Sequence, residues 1–131
     1  MASESFNYRI HGKGYYPTIP ITLFHMGNEA STDGIIDSGS NYCIFHPWVA
    51  EKVGIPWMRG DKKTISTVSD KVDVYLSKVR MAIFGNKFEC VVGFAKMGSS
   101  FNLLGREGFF EKHEITFKEK ERRVVITELD V

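Results

Sequence analysis

The sequence has little of what identifies several common protein classes. Its 131 residues include two cysteines, Cys43 and Cys90, too few and too far apart for a disulfide framework or a zinc site. Both lie in apolar stretches, so we expect buried free thiols and a reducing, cytoplasmic location. The net charge is +1, which gives no electrostatic reason to expect a nucleic-acid or anionic-membrane partner.

Long apolar runs are also missing from the sequence. No segment reaches the roughly 18 uninterrupted apolar residues of a membrane span, and the first residues lack the basic start and apolar run of a secretory signal. The histidines are scattered without the spacing of metal ligands, so we expect no metal site. We therefore predict a protein without a membrane span and without a cofactor.

The composition is that of an ordinary globular domain, with 43% hydrophobic and 25% charged residues. A chain of this length suits one domain, which we place at residues 1–131. Strands are predicted from apolar or alternating runs at 6–10, 19–24, 33–36, 64–68, 72–84, 88–94, 115–117 and 124–126. Short helices are predicted at 47–53, followed by the stop signal Gly54, and at 106–112. This pattern predicts an all-β domain, a closed or sandwiched sheet with one or two short helices.

A candidate site lies in residues 34–45, which read GIIDSGSNYCIF. An aliphatic pair runs directly into Asp37, and a carboxylate at the end of a buried strand is unfavourable unless it is hydrogen-bonded, paired or able to share its proton. Ser38 can donate or accept a hydrogen bond, and Gly39 allows a tight turn that brings an amide close. Asp-Ser-Gly is also ordinary turn chemistry, so the triplet alone leaves both interpretations open.

A second motif follows at residues 102–106, which read NLLGR. Together the two motifs resemble those of the retropepsin-like (retroviral-type) aspartic proteases. In that family an apolar-apolar-Asp-Ser/Thr-Gly stretch is followed by Asn-aliphatic-aliphatic-Gly-Arg and a short helix. The likeness extends over approximately residues 16–127.

The resemblance implies a closed β-barrel that works as a homodimer and cleaves peptide or protein substrates without a metal. Each subunit would contribute one Asp37, and two carboxylates held about 3 Å apart cannot both ionise, so they share one proton. The charged carboxylate would activate a water, and its protonated partner would donate to the scissile carbonyl oxygen. Because terminal strands interleave across the dimer in the retroviral enzymes, residues 124–127 form either a strand of the protomer's own sheet or part of an interface.

The resemblance also implies roles for the neighbours of Asp37. Ser38 would hydrogen-bond across the dimer axis, and the backbone of Gly39 would meet the peptide substrate. Ile35 and Leu103 match positions that line the pocket beside the cleaved bond.

A further group of residues would hold the active-site loop. Arg106, after Gly105, matches an arginine that braces this loop, and its acceptor would here be the neutral side chain of Asn41. The Ser40 hydroxyl is expected to donate to ionised Asp37, which favours the charged form. We therefore expect an activity optimum below neutral pH.

The family covers its cleft with a hairpin, which by position is residues 64–74 here. Val68 and Ser69 near its tip are candidate substrate contacts, with Val68 as a further apolar candidate for the pocket. The hairpin contains no glycine, although family hairpins are often glycine-rich at the tip. Two functions therefore stay open, an aspartic endopeptidase and a non-catalytic module that dimerises or binds peptides. An unrelated β-barrel that carries both motifs by chance is a third possibility.

Overall fold

The computed structural model describes residues 2–66, 71–96 and 101–129. Val68 and Ser69 lie outside these ranges. Within them the chain forms twelve strands: β1 (Ser3–Asn7), β2 (Arg9–His11), β3 (Gly14–Tyr16), β4 (Thr18–His25), β5 (Asn28–Ile36), β6 (Cys43–Phe45), β7 (Asp61–Ser66), β8 (Lys71–Ile83), β9 (Asn86–Phe94), β10 (Leu103–Leu104), β11 (His113–Lys118) and β12 (Arg123–Glu128). Among the described residues, there is no helix with the length and apolar character needed to traverse a membrane.

Six of the described strands close into a barrel. The hydrogen-bonded order is β4-β5-β10-β6-β9-β8, and β8 pairs with β4 to complete the ring. The pairs β5–β10 and β6–β9 are parallel, and the other pairs are antiparallel. Strand β7 extends the sheet beyond the barrel by pairing with β8. The predicted all-β fold with a closed barrel is therefore confirmed.

The interior of the barrel is apolar because inward and outward side chains alternate along its strands. In β4, Ile19, Ile21 and Leu23 are buried, whereas Pro20 between them is exposed. Each fully buried aliphatic side chain contributes about 2 kcal/mol to stability relative to exposure. The residues between the inward ones point to the outer face of the barrel. The candidate site lies on this outer face.

One α-helix, α1 (Pro47–Val53), packs against β4 and β5. It begins with a proline, which suits a first turn because the missing amide would have no partner there. It ends at Gly54, which adopts a left-handed conformation with φ 78° and donates its amide to the last-turn carbonyls of Ala50 and Glu51. The predicted bounds of this helix are confirmed.

The helix predicted at 106–112 is wrong. Only a 3₁₀ turn forms there, at Phe110–Lys112. The interruption comes at Gly108, whose φ of 94° is incompatible with a right-handed helix. Its amide donates instead to the Glu111 carboxylate at 2.9 Å.

A separate three-stranded sheet joins the two ends of the described chain. Strand β12 pairs antiparallel with β1 on one side and with β11 on the other. Both edges of β12 are therefore occupied within the same chain. The C-terminal run is therefore a central strand of the protomer's own sheet, and its part in a dimer interface stays a prediction.

A hairpin of β2 and β3 precedes the barrel, and β3 lies outside every strand predicted from the sequence. Its turn contains Gly12 in a left-handed conformation with φ 62°. From this hairpin the chain enters β4 through Pro17, whose carbonyl accepts a hydrogen bond of 2.9 Å from the Ile36 amide. The hairpin is thereby held beside the end of β5.

Candidate active site

Asp37 directly follows β5, at its carboxyl end. Its backbone amide donates to the Leu104 carbonyl at 2.9 Å, which continues the parallel pairing of Ile35 with Leu103 and of Ile36 with Leu104. The two sequence motifs therefore lie side by side on neighbouring strands. This register fixes the backbone from which the Asp37 carboxylate projects.

The carboxylate is held by its own turn. Gly39 donates its amide to Asp37 Oδ1 at 2.9 Å, and the Ser40 amide donates to the Asp37 carbonyl at 3.1 Å. Within the described part of the chain, the Gly39 amide is the one hydrogen-bond donor to the carboxylate, and the Ser38 hydroxyl has no partner. Asp37 is half-buried, whereas Ser38 and Gly39 are exposed. One carboxylate oxygen is thus fixed by the turn, and the other accepts no hydrogen bond from a described residue.

The turn after Asp37 is joined to the second motif by backbone hydrogen bonds. Arg106 donates its amide to the Ser40 carbonyl at 2.9 Å, and Glu107 donates its amide to the Asn41 carbonyl at 2.8 Å. The Arg106 guanidinium also donates to the side-chain oxygen of Asn41. The side-chain contact joins a cation to a neutral acceptor, and both residues are exposed.

Gly105 is required by the close approach of these two loops. A Cβ atom at this position would overlap the Tyr42 carbonyl oxygen and lie 2.6 Å from the Ser40 carbonyl oxygen. Both neighbours are backbone atoms that cannot move independently of the Asp37 turn. The glycine therefore allows the second motif to support the first.

The Ser40 hydroxyl does not act as the sequence predicted. It donates to the Tyr42 carbonyl at 2.7 Å, and a hydroxyl has one proton to donate. Asp37 Oδ1 receives its hydrogen bond from the Gly39 amide instead. The expected effect of Ser40 on the ionisation of Asp37 therefore has no geometric basis, and this hydroxyl stabilises the turn.

Asn102 belongs to the site, although the sequence analysis assigned it no role. It is 4% exposed, and its amide nitrogen donates to the Asp33 carbonyl at 2.9 Å and to Thr32 Oγ1 at 3.1 Å. Its side-chain oxygen accepts from the His46 amide at 2.9 Å. The signal for this role was a polar side chain inside an apolar run, because a buried amide must find partners. Asn102 therefore ties β5 to the start of α1 beside the Asp37 turn.

Four outward side chains form a row across neighbouring strands. Thr18 pairs with Ile35, Ile35 with Leu103, and Leu103 with Ile44, and paired residues on adjacent strands share a face. At one end of the row, Leu103 and Ile44 pack in a small apolar cluster that includes Ile65 of the β7–β8 hairpin. Ile35 and Leu103, the predicted pocket residues, are therefore neighbours next to Asp37.

Two thiols lie behind these loops. Cys43 Sγ accepts a hydrogen bond from the Gly105 amide at 3.4 Å. Burial raises the pKa of Cys43 to about 11 and that of Cys90 to about 12. Both are free and stay protonated, so they act as packing groups. Among the described residues, no three His, Cys, Asp or Glu side chains lie together in a way that could hold a metal ion.

Comparisons with solved structures identify this barrel as a retropepsin-like fold. A retropepsin-like aspartic protease from Rickettsia conorii superposes with a TM-score of 0.68 at 12% sequence identity, covering 95% of this chain and 98% of that one. The EIAV protease in complex with the inhibitor HBY-793 superposes with a TM-score of 0.56 at 16% identity, covering 75% of this chain and 88% of that one. No family model and no curated protein matches the sequence. The resemblance inferred from the two motifs is thus confirmed at the level of the fold.

Proposed function

We propose that this chain is a homodimeric aspartic endopeptidase that acts as one domain of residues 1–131. The observation that carries the proposal is the position of Asp37. It lies at the carboxyl end of a barrel strand, with one oxygen held by the Gly39 amide and the turn beside it exposed. A carboxylate oriented in this way, on this fold, is suited to meet a second copy of itself.

The chemistry follows from two Asp37 carboxylates that share one proton. The charged carboxylate takes a proton from a water while the water oxygen bonds to the scissile carbonyl carbon, and the protonated partner donates to the carbonyl oxygen. The resulting diol returns a proton to one carboxylate as the carbon–nitrogen bond breaks. The other carboxylate protonates the departing amine. No metal or cofactor takes part.

We retain the prediction that activity is highest below neutral pH, but the reason is no longer a hydrogen bond from Ser40 to Asp37. Activity needs one protonated carboxylate and one charged carboxylate in the same site, which a close pair of carboxylates sharing one proton provides. At high pH the pair loses its shared proton, and at very low pH it loses its base. The pH dependence therefore belongs to the pair of carboxylates, not to Ser40.

Dimerisation is supported by the content of the chain, which has a single Asp-Ser-Gly triplet. In a symmetric dimer the second copy of the chain supplies the second carboxylate, so no second triplet is needed in the sequence. Since β12 has both edges occupied, the proposed contact lies at the exposed Ser38-Gly39 turn, where Ser38 would hydrogen-bond across the axis. The free thiols of Cys43 and Cys90 fit a reducing, cytoplasmic location.

A second candidate function is a dimerising or peptide-binding module without efficient cleavage. The contact between Arg106 and Asn41 favours it, because a neutral acceptor attracts the Arg106 cation less strongly than a carboxylate would. The lack of glycine in residues 64–74 favours it as well. Either function uses the same pocket of Ile35 and Leu103, so turnover decides between them.

The test compares Asp37→Asn with Asp61→Asn, which removes an exposed carboxylate at the start of β7. We expect Asp37→Asn to lose at least about 1,000-fold in peptide turnover and to lose sensitivity to statine-type transition-state analogues. Asp61→Asn should retain both. The contrary result is that the unmodified protein binds peptide without turnover at every pH from 3 to 7, and that Asp37→Asn leaves this binding unchanged. It would contradict the endopeptidase and support the binding module.

A further inference from the structure

An open cleft of about 630 Å³ lies at the opposite end of β4 and β5 from Asp37. Phe24 in this cleft is six residues along β4 from Thr18, which pairs with Ile35 beside Asp37. At about 3.3 Å per residue, the strand separates the cleft from the candidate active site by about 20 Å. We call it the distal cleft, and the lining residues that matter here are Phe24, Met26, Glu29, Arg80, Lys87 and Glu89.

Four side chains cross the distal cleft in one row. Phe24 pairs with Glu29 on β5 and with Arg80 on β8, and Arg80 pairs in turn with Glu89 on β9. Paired residues on neighbouring strands share a face, so the row runs acid, aromatic, cation, acid across the outside of the barrel. Neighbouring strands lie about 4.8 Å apart. Arg80 is therefore directly beside Phe24 and two strands away from Glu29.

Two cations of the cleft, Arg80 and Lys87, form no ion pair within the described part of the chain. Glu89 makes its ion pair with Lys78, at 3.3 Å. The Lys87 ammonium lies over the Phe24 ring, 4.7 Å from the ring centroid. A carboxylate from another molecule would therefore meet an available guanidinium beside an aromatic surface.

Met26 at the rim of the cleft has an unfavourable backbone conformation. It forms the two-residue β4–β5 turn with Gly27, and both residues have positive φ, 46° and 83°. Such turns favour Asn-Gly, because positive φ is unfavourable for residues with larger side chains. The Met26 side chain is 88% exposed, so packing within the chain does not offset the strain. Uncompensated strain of this kind clusters at functional sites, including those that hold ligands.

Phe84 provides a comparison within the same chain. It has the matching position in the β8–β9 turn, with φ 35° and Gly85 after it. Its ring packs against Phe6 and His113, with centroids 6.5 Å and 6.0 Å away. Burial therefore offsets the strain at Phe84. Met26 has the same strain at an exposed tip, where contact with a partner molecule would supply the offset.

We propose that the distal cleft binds an acidic segment of a partner protein, with a carboxylate on Arg80 and a large apolar side chain between Phe24 and Met26. Charge favours this occupant, because a single carboxylate completes the pairing of Arg80. The acids at the two ends of the row, Glu29 and Glu89, repel a dense polyanion such as nucleic acid or an anionic membrane. Because the cleft is separate from the candidate active site, the inference does not depend on peptide cleavage.

The experiment measures the binding of a labelled short peptide with a Glu-Glu-Phe core by fluorescence anisotropy, in Asp37→Asn protein so that cleavage does not interfere. Matched peptides carry Gln-Gln-Phe and Glu-Glu-Ala cores, and each should bind more weakly than the Glu-Glu-Phe peptide. Arg80→Gln should weaken binding of the Glu-Glu-Phe peptide by about tenfold. The control Arg59→Gln removes an exposed cation outside the cleft and should leave binding unchanged.

Met26→Asn is an independent test, because asparagine is favoured at this position of the turn. It should raise stability in urea and yet weaken binding of the Glu-Glu-Phe peptide by about threefold. Equal binding by Arg80→Gln and Arg59→Gln, or no saturable binding of this peptide, would overturn the inference. Binding to vesicles of anionic phospholipid that both Arg80→Gln and Met26→Asn abolish, without peptide binding, would also overturn it and identify a membrane surface instead.

Discussion

The amide of Asp37 donates a hydrogen bond of 2.9 Å to the carbonyl of Leu104. This bond joins two short motifs that are far apart in the sequence. It places the turn that carries the carboxylate beside the loop that the other motif forms. Changes in the second motif should therefore be felt at Asp37, although they do not touch the carboxylate.

Gly105→Ala should test this coupling. The added methyl group would overlap the Tyr42 carbonyl and press on Ser40, so we expect a loss of about 2–3 kcal/mol in the free energy of unfolding and a larger proportional loss of activity. Urea unfolding and peptide turnover provide the measurements. Gly27→Ala is the control, because its Cβ meets no atom within 4 Å. Its cost should be only about 1 kcal/mol from the left-handed backbone, with activity retained. Equal loss of activity in both variants would contradict the coupling.

Asn41→Asp should strengthen the brace with Arg106. A carboxylate acceptor would add an ion pair to a hydrogen bond that already has a charged donor, and because both residues are exposed the gain should be about 0.5 kcal/mol. Asn41→Ala removes the acceptor and should lower stability. Unfolding in urea at low and high salt separates the charged contribution. An Asp variant no more stable than the Ala variant would show that this contact does not brace the loop.

Ser40→Ala should leave the pH–rate profile of peptide turnover unchanged. The hydroxyl donates to the Tyr42 carbonyl, so its removal should lower the free energy of unfolding by about 1 kcal/mol. Ser40→Thr should retain most of the stability. A shift of the acidic limb towards higher pH in Ser40→Ala would restore the original expectation, that this hydroxyl donates to Asp37.

His113 should make stability depend on pH. It donates from Nδ1 to the Phe109 carbonyl at 2.9 Å and is buried. Burial lowers its pKa below the ordinary 6.5, outweighing the hydrogen bond to Phe109. The unfolded chain then binds the proton first, so stability is lost as pH falls below about 6.5, by at most about 1.4 kcal/mol per pH unit, and the loss stops below the lower pKa of the folded state.

The comparison of His113→Gln with Phe88→Leu isolates this effect. Phe88 packs against His113 with ring centroids 5.8 Å apart, so its replacement should lower stability by a similar amount at each pH. His113→Gln should flatten the decline between pH 7.5 and 5.5, as followed by urea unfolding. An unchanged decline in His113→Gln would assign the pH dependence to other groups.

The barrel could be predicted because its signals are local. The run at 19–24 is mostly apolar, which is typical of a buried strand. Gly54 is a stop signal close to the proline that begins α1, so the bounds of the helix can be predicted from neighbouring residues. The closed barrel also followed from a family resemblance carried by a handful of residues, whereas the side-by-side arrangement of the two motifs is seen only in the structure. The roles implied for them beyond the fold stay predictions.

The remaining features depend on contacts that local sequence does not specify. The direction of the Ser40 hydroxyl is set by the Tyr42 carbonyl, which is placed by the loop around Gly105. Gly108, in contrast, was a local signal against the predicted helix at 106–112, because glycine is unfavourable inside a helix.

Mixing unmodified subunits with Asp37→Asn subunits tests the central claim most directly, because the account requires one intact Asp37 from each chain. The two proteins are unfolded and refolded together at a fixed total concentration, and peptide turnover is measured against the fraction of unmodified subunits. With half of the subunits unmodified, the account predicts about a quarter of the full activity, since only the symmetric unmodified dimers work. Activity of about a half, falling linearly with the unmodified fraction, would mean that one chain suffices and would contradict the shared dyad.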